Sequence, residues 1–447
     1  MDHTLAKQYT FASLLSFAVP NVIMMVSLSM YIIVDGIFIA RLLGTTALSA
    51  ANMVYPAISF EMAAAIMIAT GGSAIIARKL GEGKLREAQQ NMSFLISIEI
   101  LIGIGVAVLG TLFVEDIVVL LGASPLQAQP CVTYARILFA FAPAFFLQTA
   151  FQTFLVTAGK PTLGLILTLA AGAVNILLDY FFMAVLDMGI AGAATATGLG
   201  YCIPALSGLL FFCTAKSSPL HFVKPRFDAK VLLRSCTNGS SEMVTNLANA
   251  ATTFLFNYTF LQFYGEDGVA SITIILYFQY IFTALYFGYS NGIAPIISYK
   301  YGNRDQRQLQ EIFKSSILFL IISTALSNVL IHLTVSKSLV IFTSPDSRVF
   351  DITLHGFSLY SLAFIIMGLG IFASAMFTAF SDGKTSAVIS FSRTFVFIVG
   401  AILILPNVLG EIGIWIAVPV AEALGLIVAC FFLIRKRHYG YVPSQSG

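Results

Sequence analysis

The sequence predicts an all-α polytopic membrane protein: about twelve transmembrane helices in two pseudo-symmetric six-helix bundles around a central cleft. Composition, uncharged runs and an internal repeat carry that expectation. Of the 447 residues, 58% are hydrophobic and only 10% are charged, with a mean hydropathy of +0.90. Soluble domains carry roughly 25% charged residues, so this chain lacks the polar groups to coat several of them. Residues 42–60, 62–77, 188–215, 268–299 and 352–381 contain no Asp, Glu, Lys or Arg, and about 20 helical residues cross the hydrocarbon. The runs lack the alternation of a barrel, and lipid offers backbone groups no water to bond, which leaves helices.

Spans are expected over roughly 11–40, 45–77, 91–113, 130–157, 161–186, 189–214, 232–262, 267–298, 312–334, 350–380, 384–406 and 411–434. Turn chemistry separates them: Gly-Glu-Gly-Lys at 81–84, Ser-Pro at 124–125, Gly-Lys-Pro at 159–161, Gly-Asn-Arg-Asp at 302–305 and Ser-Pro-Asp at 344–346. Asp2 and Lys7 precede an apolar stretch too long for a cleavable signal, which reads as the first span. The longest polar connection, 215–230, divides an N-terminal lobe (1–220) from a C-terminal lobe (221–447). With the N-terminus inside, twenty of the 24 Lys and Arg fall on cytoplasmic segments and span ends, Arg393 among them. The positive-inside rule then places both termini in the cytoplasm.

The halves repeat. "GGSAIIARKLGEGKLREAQQ" at 71–90 aligns with "GIAPIISYKYGNRDQRQLQE" at 292–311, an offset of 221. Gly159-Lys160 recurs as Gly383-Lys384, and "DMGIAGAATA" at 187–196 as "EIGIWIAVPV" at 411–420, both at an offset of 224. With six spans per half these are parallel repeats, and such symmetry implies a cleft between two lobes that suits alternating access. A net charge of +3 is too small to suggest nucleic acid. The five cysteines are scattered and form no metal or disulfide spacing.

Ionisable residues inside spans are expensive and mark function by default. Here they are Asp35, Glu61, Glu99, Arg136, Asp179, Glu242, Arg393 and Glu422. At 1.5 Å per residue, Asp35 lies about 9 Å below the outer end of span one, and Asp179 and Thr197 lie about 12 Å deep. Asn175 is one turn below Asp179 on the same face, and Tyr134 is four residues into span four. Topology thus gathers Asp35, Asp179, Asn175, Thr197 and Tyr134 into one layer of the first lobe. Two carboxylates facing each other in a low dielectric cannot both ionise cheaply, so one would hold a proton, the physics of a proton relay. The same oxygens would also ligate a small hard cation, which leaves Na⁺ open beside H⁺.

A lone polar residue in a span is often a structural bridge between helices. That reading is favoured for Glu422, beside Ala423 and Gly425, and weighs equally with function for Glu61 and Glu99. Glu242, about one turn into span seven, reads as interfacial. At the repeat offsets Asp35 and Asp179 correspond to Phe256 and Leu403, so the fold does not require the acids. Pro20 and Pro143 are candidate kinks, since each removes a backbone bond. Tyr277, Tyr280, Tyr286 and Tyr289 along span eight suit a cleft for flat organic cations.

At these residues a family resemblance emerges. "YIIVDGIFIARLLGTTALSAANMVYP" at 31–56 resembles the first-span signature of the multidrug and toxic-compound extrusion (MATE) family. "GKPTLGLILTLAAGAVNILLDYFFM" at 159–183 resembles its fifth span and "GIAGAATATGLG" at 189–200 its sixth. Asp35 with the Asn175/Asp179 pair is similar to the DinF-like branch. The resemblance implies that Asp35 and Asp179 bind the coupling ion, with Asn175, Thr197 and Tyr134 around them, and that Pro20 is a conformational hinge. Tyr180 stands where the family usually has Pro, and Glu242 resembles an acid that the NorM-like branch uses in its second lobe.

The expected activity is secondary-active multidrug efflux, exporting amphipathic organic cations in exchange for H⁺ or, alternatively, Na⁺. The rival is a flippase or exporter of a lipid-linked or polyprenyl substrate, which would favour a strongly cationic cleft. No enzyme motif occurs, and no cofactor or metal is expected beyond the coupling ion. Partners are small organic cations and the lipid bilayer. A monomer in a bacterial inner membrane is expected.

Overall fold

Long runs of Ala, Leu, Ile, Val and Phe, many of them separated by Gly- and Pro-containing turns, fold as sixteen α-helices among the described residues. The computed structural model describes residues 4–443 apart from Ser124 and Ile341, so the turn expected at 124–125 falls partly outside them. The first lobe holds α1 (Phe11–Leu43), α2 (Thr45–Gly81), α3 (Leu85–Leu112), the short α4 (Val114–Leu120), α5 (Pro125–Ala140), α6 (Ala142–Thr157), α7 (Pro161–Asp179) and α8 (Ile190–Thr214). The second holds α9 (Ala229–Tyr264), α10 (Glu266–Gly302), α11 (Gln306–Leu339), α12 (Arg348–Tyr360), α13 (Leu362–Ala379), α14 (Gly383–Phe391), α15 (Ile398–Leu409) and α16 (Glu411–Arg435).

Several spans are composite. The α5–α6 pair bends by 54° at Phe141, and Pro143 occupies the first turn of α6, where its missing N–H costs no helical bond. By contrast α1 runs without a break through Pro20. α7 passes directly after Asp179 into a π-helical turn, Tyr180–Val185. The chain's departure from the family pattern at Tyr180 is therefore where the helix widens. A second π-helical turn, Ser392–Phe397, joins α14 to α15 and carries Arg393. Single π-turns inside helices recur at functional sites.

Ten of these helices or composites are long and apolar enough to span a membrane, and the α5–α6 pair makes an eleventh. The remaining span is α9, whose 36 residues reach about 54 Å at 1.5 Å per residue. Its middle is too polar to read as lipid-facing because it packs on protein. At the crossing of α2 and α9, a side chain on Gly71 would collide with the Ser235 carbonyl, and one on Gly239 with that of Met67. Only glycine lets the two backbones meet.

Apart from the bonds of the connecting segment 215–228, four hydrogen bonds join the lobes among the described residues, all in the half that holds both chain ends. Tyr9 N donates to Gln308 Oε1 at 2.7 Å, and Lys300 Nζ donates to the Ala6 carbonyl at 3.0 Å. Asn21 Nδ2 donates to the Gly288 carbonyl at 2.6 Å, one residue from Pro20. Asn238 Nδ2 donates to the Gly71 carbonyl at 3.5 Å and to the Thr378 carbonyl of its own lobe at 2.9 Å. The main hydrophobic core likewise spans both lobes, whereas two smaller clusters belong to the first lobe alone. The cleft is thus closed on the side of the termini.

Candidate functional site

The layer expected in the first lobe is assembled from four helices. α1 supplies Asp35, α5 Tyr134, α7 Asn175 and Asp179, and α8 Thr197. Asp179 is fully buried, Asn175 and Thr197 are buried, and Tyr134 is 9% exposed. The Asp35 and Asp179 carboxyls lie close enough to influence each other electrostatically between α1 and α7. An ionised carboxylate only accepts, so two of them bond only when one carries a proton.

No donor relieves the pair among the described residues. Asp35 Oδ1 and both Asp179 oxygens are buried without a hydrogen-bond partner among the described residues, as is Asn175 Oδ1. No Lys or Arg forms an ion pair with either acid. Asn175 Nδ2 donates to Thr197 Oγ1 at 3.5 Å, tying α7 to α8 one turn from Asp179. A buried, unpaired polar group costs stability. Ordered water or a bound ion can supply the missing partners of such groups.

Two members escaped the sequence reading. Tyr31 sits one turn before Asp35 on α1, with Thr197 and both acids near it. Tyr201 sits one turn after Thr197 on α8, between Asp35 and Glu61. The i, i+4 spacing from an already suspected residue is the signal that would have found both. A cavity of about 310 Å³ opens below this layer, lined by Tyr31, Gln148, Gln152, Thr168, Asn175 and Tyr201.

Other expected residues fall elsewhere. Glu61 on α2 is buried at 6% exposure and joins the edge of the acid layer through Tyr201. Glu99 is wholly buried on α3, with neither oxygen hydrogen-bonded among the described residues. The expectation that Glu242 is interfacial is wrong: it is 5% exposed, because α9 continues well past it toward the chain-end side. Nor does Arg393 belong with the loop cations, since it is buried and its Nη1 donates to Glu422 Oε1 at 2.9 Å. Glu242 lies within electrostatic range of Arg393. Gly370 and Gly425 make room for this arginine, as an added Cβ would stand 2.9 and 2.8 Å from its side chain.

The expected tyrosine row on α10 divides in two. Tyr286 and Tyr289 are buried and bonded to α11, through Thr324 at 2.8 Å and Ser316 at 3.1 Å. Tyr277 stacks on Phe342 with ring centroids 6.0 Å apart. Tyr280 alone of the four is exposed, and it lies near Tyr55 on α2 of the other lobe.

Comparison with known proteins follows this architecture. The profile of the MatE family matches residues 20–181 and again residues 242–403. The multidrug export protein MepA of Staphylococcus saprophyticus is 23% identical over 436 residues, covering 96% of this chain and 95% of that protein. MepA of Staphylococcus haemolyticus is 23% identical over 437 residues, covering 98% and 96%. A crystal structure of a MATE in complex with MaL6 superposes with a TM-score of 0.93 at 19% identity, covering 99% of this chain and 100% of that one. An outward-facing MATE transporter of the MOP superfamily superposes at 0.91 with 21% identity, covering 98% of both.

Proposed function

The chain belongs to the MATE family of membrane transporters, and from that premise we propose that it is a multidrug exporter driven by protons that bind at Asp35 and Asp179. The observation that carries the proposal is the facing acid pair with no cation to neutralise it. Low dielectric disfavours two adjacent negative charges, so the pair takes up one positive charge from solution. A proton neutralises one carboxyl without further ligands, and on that ground H⁺ is proposed over Na⁺. The acid composition supports the DinF-like branch.

In this reading the cytoplasmic side is the one that holds both termini, and protons reach the acids from the opposite side of a bacterial inner membrane. Amphipathic organic cations bind in the cleft between the lobes, where Tyr55 and Tyr280 offer aromatic faces and Glu61 a buried carboxyl. Coupling requires that proton and substrate favour different states of the transporter. Pro20 serves as the hinge: it lies on the same helix as Asp35 and lacks the backbone N–H that would stiffen it. Its neighbour Asn21 holds α10 of the second lobe, so a bend there reaches the interlobe seam.

The test is export of a fluorescent organic cation by the purified protein in sealed liposomes, with a pH gradient and a Na⁺ gradient imposed separately. The pH gradient alone should drive transport, and Asp35→Asn should stop it with the protein still inserted. Transport by the Na⁺ gradient alone would replace the proton with Na⁺. Normal export by Asp35→Asn would remove the acid pair from the mechanism.

A further inference from the structure

The strap between the lobes differs from the α2–α3 and α10–α11 connections on the side of the termini. Lys216, Lys224, Arg226, Lys230 and Arg234 are all exposed, and none has an acidic partner among the described residues. In those two connections, and below α14, some cations are matched by acids. Arg78 pairs with Glu82 and Lys79 with Glu87 between α2 and α3. Lys300 pairs with Asp305 near the start of α11, and Lys436 with Asp382 below α14. The one acid within the strap, Asp228, is already engaged: it caps α9, accepting from Lys230 N at 2.9 Å and Val231 N at 3.3 Å.

Apolar groups accompany these charges. Phe227 is 76% exposed and Leu233 66% exposed, although Phe227 rests edge-on against Phe94 of α3 at 5.5 Å. Lys230 and Arg234 are one turn apart on the first face of α9, and Phe227 and Leu233 flank them. Cations beside exposed apolar side chains at a span entrance fit the headgroup boundary, where the charges meet phosphates and the rings meet acyl chains. The strap is also anchored to the first lobe, since Val223 N donates to Ser93 Oγ at 3.1 Å and Gln89 Nε2 to the Pro219 carbonyl at 3.0 Å.

We infer that the Lys216–Arg234 strap is a docking site for anionic phospholipid headgroups of the cytoplasmic leaflet. Such a lipid would bear on transport, because the strap ties α3 of one lobe to α9 of the other. Arg234 lies five residues, about 7.5 Å along the helix, before Gly239 at the α2–α9 crossing. The inference rests on the cytoplasmic orientation given under the proposed function.

The experiment compares wild type with a variant neutralised at Lys224→Gln, Arg226→Gln, Lys230→Gln and Arg234→Gln. A charge-retaining control exchanges Lys and Arg at the same four positions. Binding is read with fluorescent phosphatidylglycerol and phosphatidylcholine, and transport in phosphatidylcholine vesicles with and without phosphatidylglycerol. Wild type and control should hold phosphatidylglycerol about tenfold more tightly than phosphatidylcholine and transport faster when it is present, and the neutralised variant should lose both effects. Equal binding of the two lipids by wild type would overturn the inference, as would undiminished phosphatidylglycerol binding by the neutralised variant. Complete displacement of the lipid by inorganic phosphate would do the same. Labelling of a Ser217→Cys variant by a membrane-impermeant maleimide separates the premises. Labelling from outside intact cells refutes the orientation itself, whereas labelling only in inverted vesicles leaves the lipid result to judge the docking site alone.

Discussion

In the first lobe Asp35 and Asp179 face each other without a basic side chain, whereas in the second Arg393 holds Glu422 at 2.9 Å with Glu242 nearby. Both sets are buried in membrane-spanning helices, yet only the second contains a cation. Arginine stays protonated in proteins, so the second cluster carries its own cation whatever the solution holds. The first must borrow its positive charge, and a borrowed charge can be returned on the other side of the membrane. The repeat sharpens the contrast. The displacement between the two MatE matches carries Pro20 onto Glu242, Ala171 onto Arg393 and Gly200 onto Glu422. Each lobe therefore places its charges where the other has none, which suits one lobe that exchanges ions and another that holds its shape.

The largest expected effect falls on the uncompensated side. Asp35→Asn and Asp179→Asn should each reduce pH-gradient-driven export to the level of empty liposomes, and export by either variant near the wild-type rate would erase the contrast. Next comes Arg393→Met, which strands two buried acids. Removing one partner of a buried pair costs about 3–5 kcal/mol, whereas replacing both partners by apolar groups is often neutral. Melting in detergent should therefore drop sharply for Arg393→Met and largely recover in Arg393→Met/Glu422→Met. A stable double variant that no longer exports would move the second cluster into the coupling machinery.

Smaller effects refine the comparison. Pro20→Ala restores a backbone donor to α1 and should slow export by severalfold, measured as initial rates, without changing the melting temperature. An unchanged rate would separate the hinge from Asp35. The mildest effect concerns Asp382, which accepts from Thr385 Oγ1 at 2.7 Å, Tyr439 OH at 3.0 Å and Lys436 Nζ at 3.1 Å. Burial alone would raise its pKa, but these hydrogen bonds outweigh burial and hold it below the ordinary aspartate value. A depressed folded-state pKa contributes stability above the unfolded value, about 3.9, that is lost as pH falls through the folded one. Asp382→Asn should therefore lower stability slightly at neutral pH and converge on wild type in acid. A gap that persists in acid would assign the effect to packing.

Much of this was legible in the sequence, and the limits have physical causes. Span positions follow from apolar runs and turn residues, which are local signals. The layer of Asp35, Asp179, Asn175, Thr197 and Tyr134 was legible because depth along a membrane helix is a matter of counting. Which side chains meet across helices is not. Arg393 was grouped with loop cations because its ion pair reaches Glu422 on another helix, 29 residues away. Glu242 read as interfacial, and its burial, at 5% exposure, depends on packing between helices. Tyr286 and Tyr289 resembled a cleft row until their partners on α11 were seen. Tyr31 and Tyr201 were one turn from suspected residues, among 17 tyrosines.

The contrast between the lobes is tested most directly by proton movement itself. Wild type, Asp35→Asn and the Arg393→Met/Glu422→Met variant would be reconstituted in liposomes enclosing a pH-sensitive dye, and an organic cation then added with no Na⁺ present. The account predicts substrate-driven proton flux in wild type and in the double variant, and none in Asp35→Asn. Flux that survives in Asp35→Asn, or that disappears in a correctly folded double variant, would contradict it.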